Sequence, residues 1–143
     1  MPEGRYVIEQ APIPDHNADR RGVVAEGPVG VKMLGRFRLF RYEIRRWRDG
    51  AIPDIRQAVG SPVHLTDDVH QAQRVLDLLP AVPTPVWGRD EFRTGEMWNS
   101  NSVVSWVLTS SGVPLASVGP PAGGRAPGWR AGTVIAERSR GHA

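Results

Sequence analysis

The sequence predicts an α+β domain, a small antiparallel sheet packed with two helices, and three observations carry that expectation. One segment, residues 36–47 (RFRLFRYEIRRW), is dense in aromatic and β-branched residues that suit a pleated surface. A second, residues 65–79, repeats apolar side chains at helical spacing behind a run of capping residues. A third, around residues 99–111, opens on asparagines and serines and is followed by Gly112 and Pro114. The chain has 143 residues, enough for one core and not two. We therefore read residues 1–143 as one domain, with a flexible segment over about the first 20 and a frayed tail at 138–143.

The elements follow in order. Prolines and glycines punctuate residues 1–35 and leave room for short strands at 5–9 and near 29–34. In the 36–47 strand, Phe40, Tyr42 and Ile44 share one face. Phe37 and Leu39 begin the other until Arg41 interrupts it, which suits a central strand covered on both sides at one end. Asp49-Gly50 makes a turn. In the 65–79 helix Thr66 is the expected cap, and Asp67 and Asp68 fall in a first turn that favours negative charge. Val69, Ala72, Val75, Leu76 and Leu79 are expected to face the core, and Pro80 ends the helix. Residues 80–98 read as loop. The third segment is rich in valine, so a strand there competes with a helix, and a strand would turn the fold into a mostly β barrel. The capping residues favour the helix. Residues 119–129 read as an irregular loop and residues 131–137 as a final strand.

Composition excludes several functions. There is no cysteine, hence no disulfide, thiolate metal site or cysteine nucleophile. No apolar run approaches the length of a membrane span, and the first residues carry no signal-peptide core, so the expectation is a cytoplasmic protein without a membrane partner. Phosphate-binding glycine loops and a Gly-x-Ser-x-Gly elbow are also missing. No cofactor is expected. The formal net charge of +3 is too small to imply a nucleic-acid partner by itself. Lys32 is the one lysine beside seventeen arginines, a bias that reads as genome composition.

One motif stands out. The segment Gly95-Glu96-Met97-Trp98-Asn99-Ser100-Asn101-Ser102-Val103-Val104-Ser105-Trp106 resembles a group of uncharacterised bacterial proteins that share a W-x-x-N-S-N-[ST] pattern. That pattern is in turn similar to the nucleophile helix of NlpC-type papain-like peptidases and their permuted relatives. The resemblance implies a reduced papain-like fold, and it places the position of the missing cysteine at Ser100. Two expectations follow. In one, the domain binds a small acyl, amide or peptide ligand at the start of this helix, with Trp98, Asn99, Asn101, Ser102 and Trp129 around it and Arg93 and Arg125 steering it. In the other, Ser100 is an acyl-transfer nucleophile, His64 or His70 its base, and helix-start N–H groups or Asn101 hold the oxyanion. The papain-like families place their histidine on a strand or downstream of the nucleophile. Here the candidates lie ahead of or on the first helix. His64 and His70 also raise a metal reading, with Asp67 or Asp68 as further ligands, against which two exposed histidines on a capped helix is the simpler one; no metal site is expected. A further expectation concerns Arg36, Arg38, Arg41, Arg45, Arg46 and Arg48. Interleaved with rings, they resemble a surface for single-stranded nucleic acid or a protein partner, against which stands pairing with acids such as Glu43 and Asp49.

Overall fold

A computed structural model describes residues 4–12, 22–30, 41–49, 56, 63–120 and 122–141. These residues form a three-stranded antiparallel sheet and three helices, and the sheet is open, not a barrel. The strands are β1 (Tyr6–Pro12), β2 (Val23–Pro28) and β3 (Arg41–Arg48), ordered β1-β3-β2. β3 is the central strand, as expected; Phe37 and Leu39, which carried the second apolar face of that expectation, lie outside the described residues. Residues 31–40 lie outside the described residues, and with them the first half of the expected 36–47 strand and most of the strand expected near 29–34. What precedes that segment is β2, ahead of the strand expected near 29–34. Its Ala25 and Gly27 are weak strand formers, and only pairing with β3 makes the segment extended.

The pleat of β3 sends its residues two ways. Tyr42 and Ile44 are fully buried, and Arg46, on the same face, donates from Nη1 to the Leu76 carbonyl at 2.6 Å, tying the sheet to a helix. The Tyr42 hydroxyl donates to the Pro85 carbonyl at 2.7 Å, and its ring meets Trp87 edge-on at 5.5 Å. Burial, and then the negative charge of Glu91, hold the Tyr42 phenol well above its ordinary range. The unfolded phenol titrates first, so this side chain's contribution to stability is lost as pH rises above about 10.

The first helix, α1, spans Val69–Leu78, and its cap is Asp68, not Thr66. Thr66 Oγ1 accepts from the Asp68 N–H at 3.0 Å, and Asp68 Oδ1 then accepts from the His70 N–H at 2.8 Å. Two capping residues stand in series, and the helix starts at the later one, so neither Asp67 nor Asp68 lies in the first turn. The helix closes in a 3-10 turn at Leu79–Ala81.

Residues 103–108 are helical, within α2 (Ser100–Ser111), which Gly112 closes in the left-handed conformation at φ 81°. Its valines do not prevent a helix because it lies at the centre of the domain, with Val103, Trp106, Val107 and Leu108 all buried. The expected final strand at 131–137 is instead helix α3 (Trp129–Arg140), which also takes up the first residues of the expected tail. Thr133, Val134 and Ile135 favoured a strand by propensity. The buried residues Ala131, Gly132, Ile135 and Ala136 nevertheless recur at helical spacing, and packing on α2 overrides the local preference. Arg138 and Arg140 occupy the last turn, where positive charge suits the helix dipole.

Candidate functional site

The start of α2 is built from the motif residues. Asn99 is the N-cap, and its side-chain oxygen accepts from the Asn101 N–H at 2.9 Å and the Ser102 N–H at 3.4 Å. Ser102 returns the contact by accepting the Asn99 N–H at 3.0 Å, which completes a capping box. The remaining donors turn toward α3. Asn99 Nδ2 and Asn101 Nδ2 both reach the Pro127 carbonyl, at 2.8 and 2.9 Å. Ser102 Oγ donates to the Gly128 carbonyl at 2.7 Å, and Ser105 Oγ to the Trp129 carbonyl at 2.7 Å. Glu96 completes the set by accepting the Arg130 N–H at 3.0 Å, which puts a carboxylate at the start of α3. The motif is a staple between two helix starts.

That staple uses the helix-start N–H groups an oxyanion would need: those of Asn101 and Ser102 already point at Asn99 Oδ1. Ser100 is the first residue of α2 and half-buried. Among the described residues, no hydrogen bond joins it to a histidine. His64 and His70 are exposed; His64 Nε2 lies 3.2 Å from Asp67 Oδ1, and the His70 N–H is held by Asp68. Among the described residues no three His, Asp or Glu side chains are placed to hold a metal ion.

The other predicted residues separate. Trp98 is 1% exposed, packed edge-on against Phe92 at 5.8 Å, and belongs to the core rather than to a site wall. Trp129 is half-buried against the same core. Arg93 and Arg125 are exposed, Arg93 on a left-handed backbone at φ 53°. The loop carrying Arg93 is held by Asp90, whose carboxylate accepts the Thr94 and Gly95 N–H groups at 2.8 and 2.9 Å. The Thr94 N–H above all holds the Asp90 carboxyl below its usual range, with the Gly95 N–H, the Thr94 hydroxyl and the Arg138 charge adding to it.

On the arginine strand, acids neutralise several of the cations. Arg45 pairs with the buried Glu43 and lies over Trp47, Arg41 pairs with Glu26 at 3.0 Å, and Arg48 lies 3.7 Å from Asp49. Glu26 and Glu43 stand directly opposite in register, so the two arginines also relieve a like-charge pair. Arg36 and Arg38 lie outside the described residues.

A concave surface lies elsewhere, away from the start of α2. α1, α2 and the start of β1 border an open cavity of about 630 Å³, within the range of small-molecule sites. Tyr6 and Ile8 of β1, Val69, Ala72 and Leu76 of α1, and Val104 and Val107 of α2 line it. Thr66, Asp67, Asp68 and Gln73 supply its polar margin. The sequence signal for it is the apolar stripe of α1, whose pattern alone does not distinguish a core face from a cavity wall. In the structure no residue of α1 is buried, and Val69 and Val104 remain 41% and 45% exposed. Comparison of the chain with protein-family models, with curated proteins and with solved structures finds no match. Among the described residues, no helix is long and apolar enough to cross a membrane.

Proposed function

We propose that this domain binds rather than transforms its ligand, and that the ligand is a straight-chain acyl amide seated in the cavity between α1, α2 and β1. The observation that carries the reading is the cavity itself: its walls are apolar, and it is large enough for a small molecule. A hydrocarbon chain gains from leaving water along Ile8, Val69, Val104 and Val107. The margin argues for the head group. Asp67 and Asp68 repel a carboxylate, while an amide can donate to their oxygens or to Gln73. The small acyl or amide ligand expected from the sequence is kept, and its place moves from the start of α2, where the side chains already serve each other.

The test is displacement of the fluorescent apolar probe N-phenyl-1-naphthylamine by decanamide. Decanamide is expected to compete, and decanoate, with the same chain length, to compete about fivefold more weakly because of the two aspartates. Val104→Arg places a charge at the cavity wall from a position that is already partly exposed. It is expected to weaken decanamide by about tenfold or more with little change in melting temperature. Absence of displacement in the parent protein would remove the cavity from consideration.

Acyl transfer by Ser100 is the reading this one displaces. A fluorophosphonate probe is expected to leave the intact mass of the parent protein unchanged, because no base is hydrogen-bonded to Ser100 among the described residues. Labelling that vanishes in Ser100→Ala would restore the enzyme reading.

A further inference from the structure

The way α1 is attached changes along its length. Its C-terminal end is anchored: Leu79 is fully buried, Val75 and Leu78 pack against the core, and two arginines strap the backbone. One strap is Arg46 Nη1 to the Leu76 carbonyl at 2.6 Å. The other runs outward from the helix, Arg74 Nε to the Ser111 carbonyl at 3.3 Å. The N-terminal end lacks all of this. Among the described residues, every hydrogen bond made by residues 66–73 stays within α1 and its own capping segment. Val69 is 41% exposed, and its face looks onto the cavity. α1 also packs on α2 far less extensively than α3 does.

We propose that the first half of α1 is a movable wall: it unwinds from its Asp68–Val69 end toward the strapped half in the free protein, and re-forms over a ligand in the cavity. The closing half of this statement rests on the cavity reading above; the opening half does not. The physical basis is that local opening costs least where few apolar contacts and no external hydrogen bonds must be broken. A bound hydrocarbon chain would supply the missing contacts to Val69 and Ala72 and so favour the closed position.

Amide hydrogen exchange on the full chain tests both halves. Ordinary end-fraying is controlled by comparing equivalent positions in α2, a helix of similar length that is held at both ends. In the free protein, the Ala72, Gln73 and Arg74 amides are expected to be protected at least tenfold less than Asp77, Leu78 and Leu79. The matching gradient in α2, from Val103 to Leu108, should be much shallower. Saturating decanamide is expected to raise protection of the first three by about tenfold and to leave α3 unchanged. Uniform protection along α1 in the free protein would overturn the opening. Decanamide that displaces the naphthylamine probe without slowing exchange at Ala72–Arg74 would overturn closure. If decanamide does not bind, the cavity reading fails, and the gradient in the free protein still decides whether α1 opens. Arg46→Met, which removes one strap, is expected to lower protection at Asp77–Leu79 and so flatten the gradient. An unchanged gradient would show that the strap does not set it.

Discussion

Replacing Gly132 by alanine is expected to force α2 and α3 apart and to cost about 3 kcal/mol of stability, a fall in melting temperature of roughly 10 °C. A Cβ at this position would lie 2.1 Å from both the Ser102 carbonyl oxygen and Ser105 Oγ, and 2.8 Å from the Trp106 nitrogen. Two of these atoms are backbone. The third is pinned, since Ser105 Oγ donates its one proton to Trp129 O at 2.7 Å and sits 3.1 Å from Ser102 O. None of them can step aside without moving a helix. Alanine would gain about 1 kcal/mol over glycine in helix propensity, which is too little to offset the overlap and a lost hydrogen bond of about 1 kcal/mol. Gly119→Ala is the matched control: no atom lies within 4 Å of its Cβ position, and the change should stay within about 0.5 kcal/mol. Chemical denaturation of the two variants reads the difference directly, and equal stabilities would mean that α2 and α3 do not touch as closely as described.

Asn99→Ala should cost about 2 to 3 kcal/mol, because one side chain performs two tasks. It caps α2, a role whose loss costs about 1 to 2 kcal/mol, and it holds the Pro127 carbonyl through Nδ2, which adds about 1 kcal/mol. Asn99→Asp separates them. The carboxylate keeps the cap and suits the helix dipole, but it cannot donate to Pro127, so only about 1 kcal/mol should be lost. Equal losses in the two variants would place the energy in the contact with Pro127 and not in the cap. Neither variant losing stability would overturn the staple. Gly128 shows how tight this corner is: a Cβ there would sit 2.5 Å from Asn99 Oδ1, and its φ of 87° already disfavours any other residue.

These two variants bear on how a motif is interpreted. The Asn-Ser-Asn-Ser run has the residue types that a helix-start nucleophile and its oxyanion donors would need. Three of its four side chains instead hold the start of α2 and the approach to α3 together. Serine and asparagine serve well as small polar connectors between closely packed helices, because each pairs with backbone carbonyls without adding bulk. The arginine strand shows the same economy. Arg41, Arg45 and Arg46 are engaged with Glu26, Glu43 and the Leu76 carbonyl, so most of their charge is directed into the fold.

The α+β class, the described part of the central strand, two of the three helices with the Asn99 region as the cap of α2, and the Gly112 stop were legible in the sequence, while the cap of α1 fell two residues later than expected. Each depends on interactions within a few residues: alternation on a strand, an apolar stripe on a helix, a side chain capping its own neighbours, a left-handed glycine. What the sequence could not show depends on partners far along the chain. Thr133-Val134-Ile135 became helix because Gly132 lets α3 approach Ser102 and Ser105, a contact invisible to local propensity. Trp98 looked like a loop residue open to a ligand, and it is core because Phe92 packs edge-on against it. The stripe of α1 predicted a buried face, while only the packing of three elements decided that its first half borders a cavity. Local patterns determine what each segment can become. Which faces are closed against one another, and which are left open for a ligand, is settled by tertiary contacts that carry most of the stabilising burial.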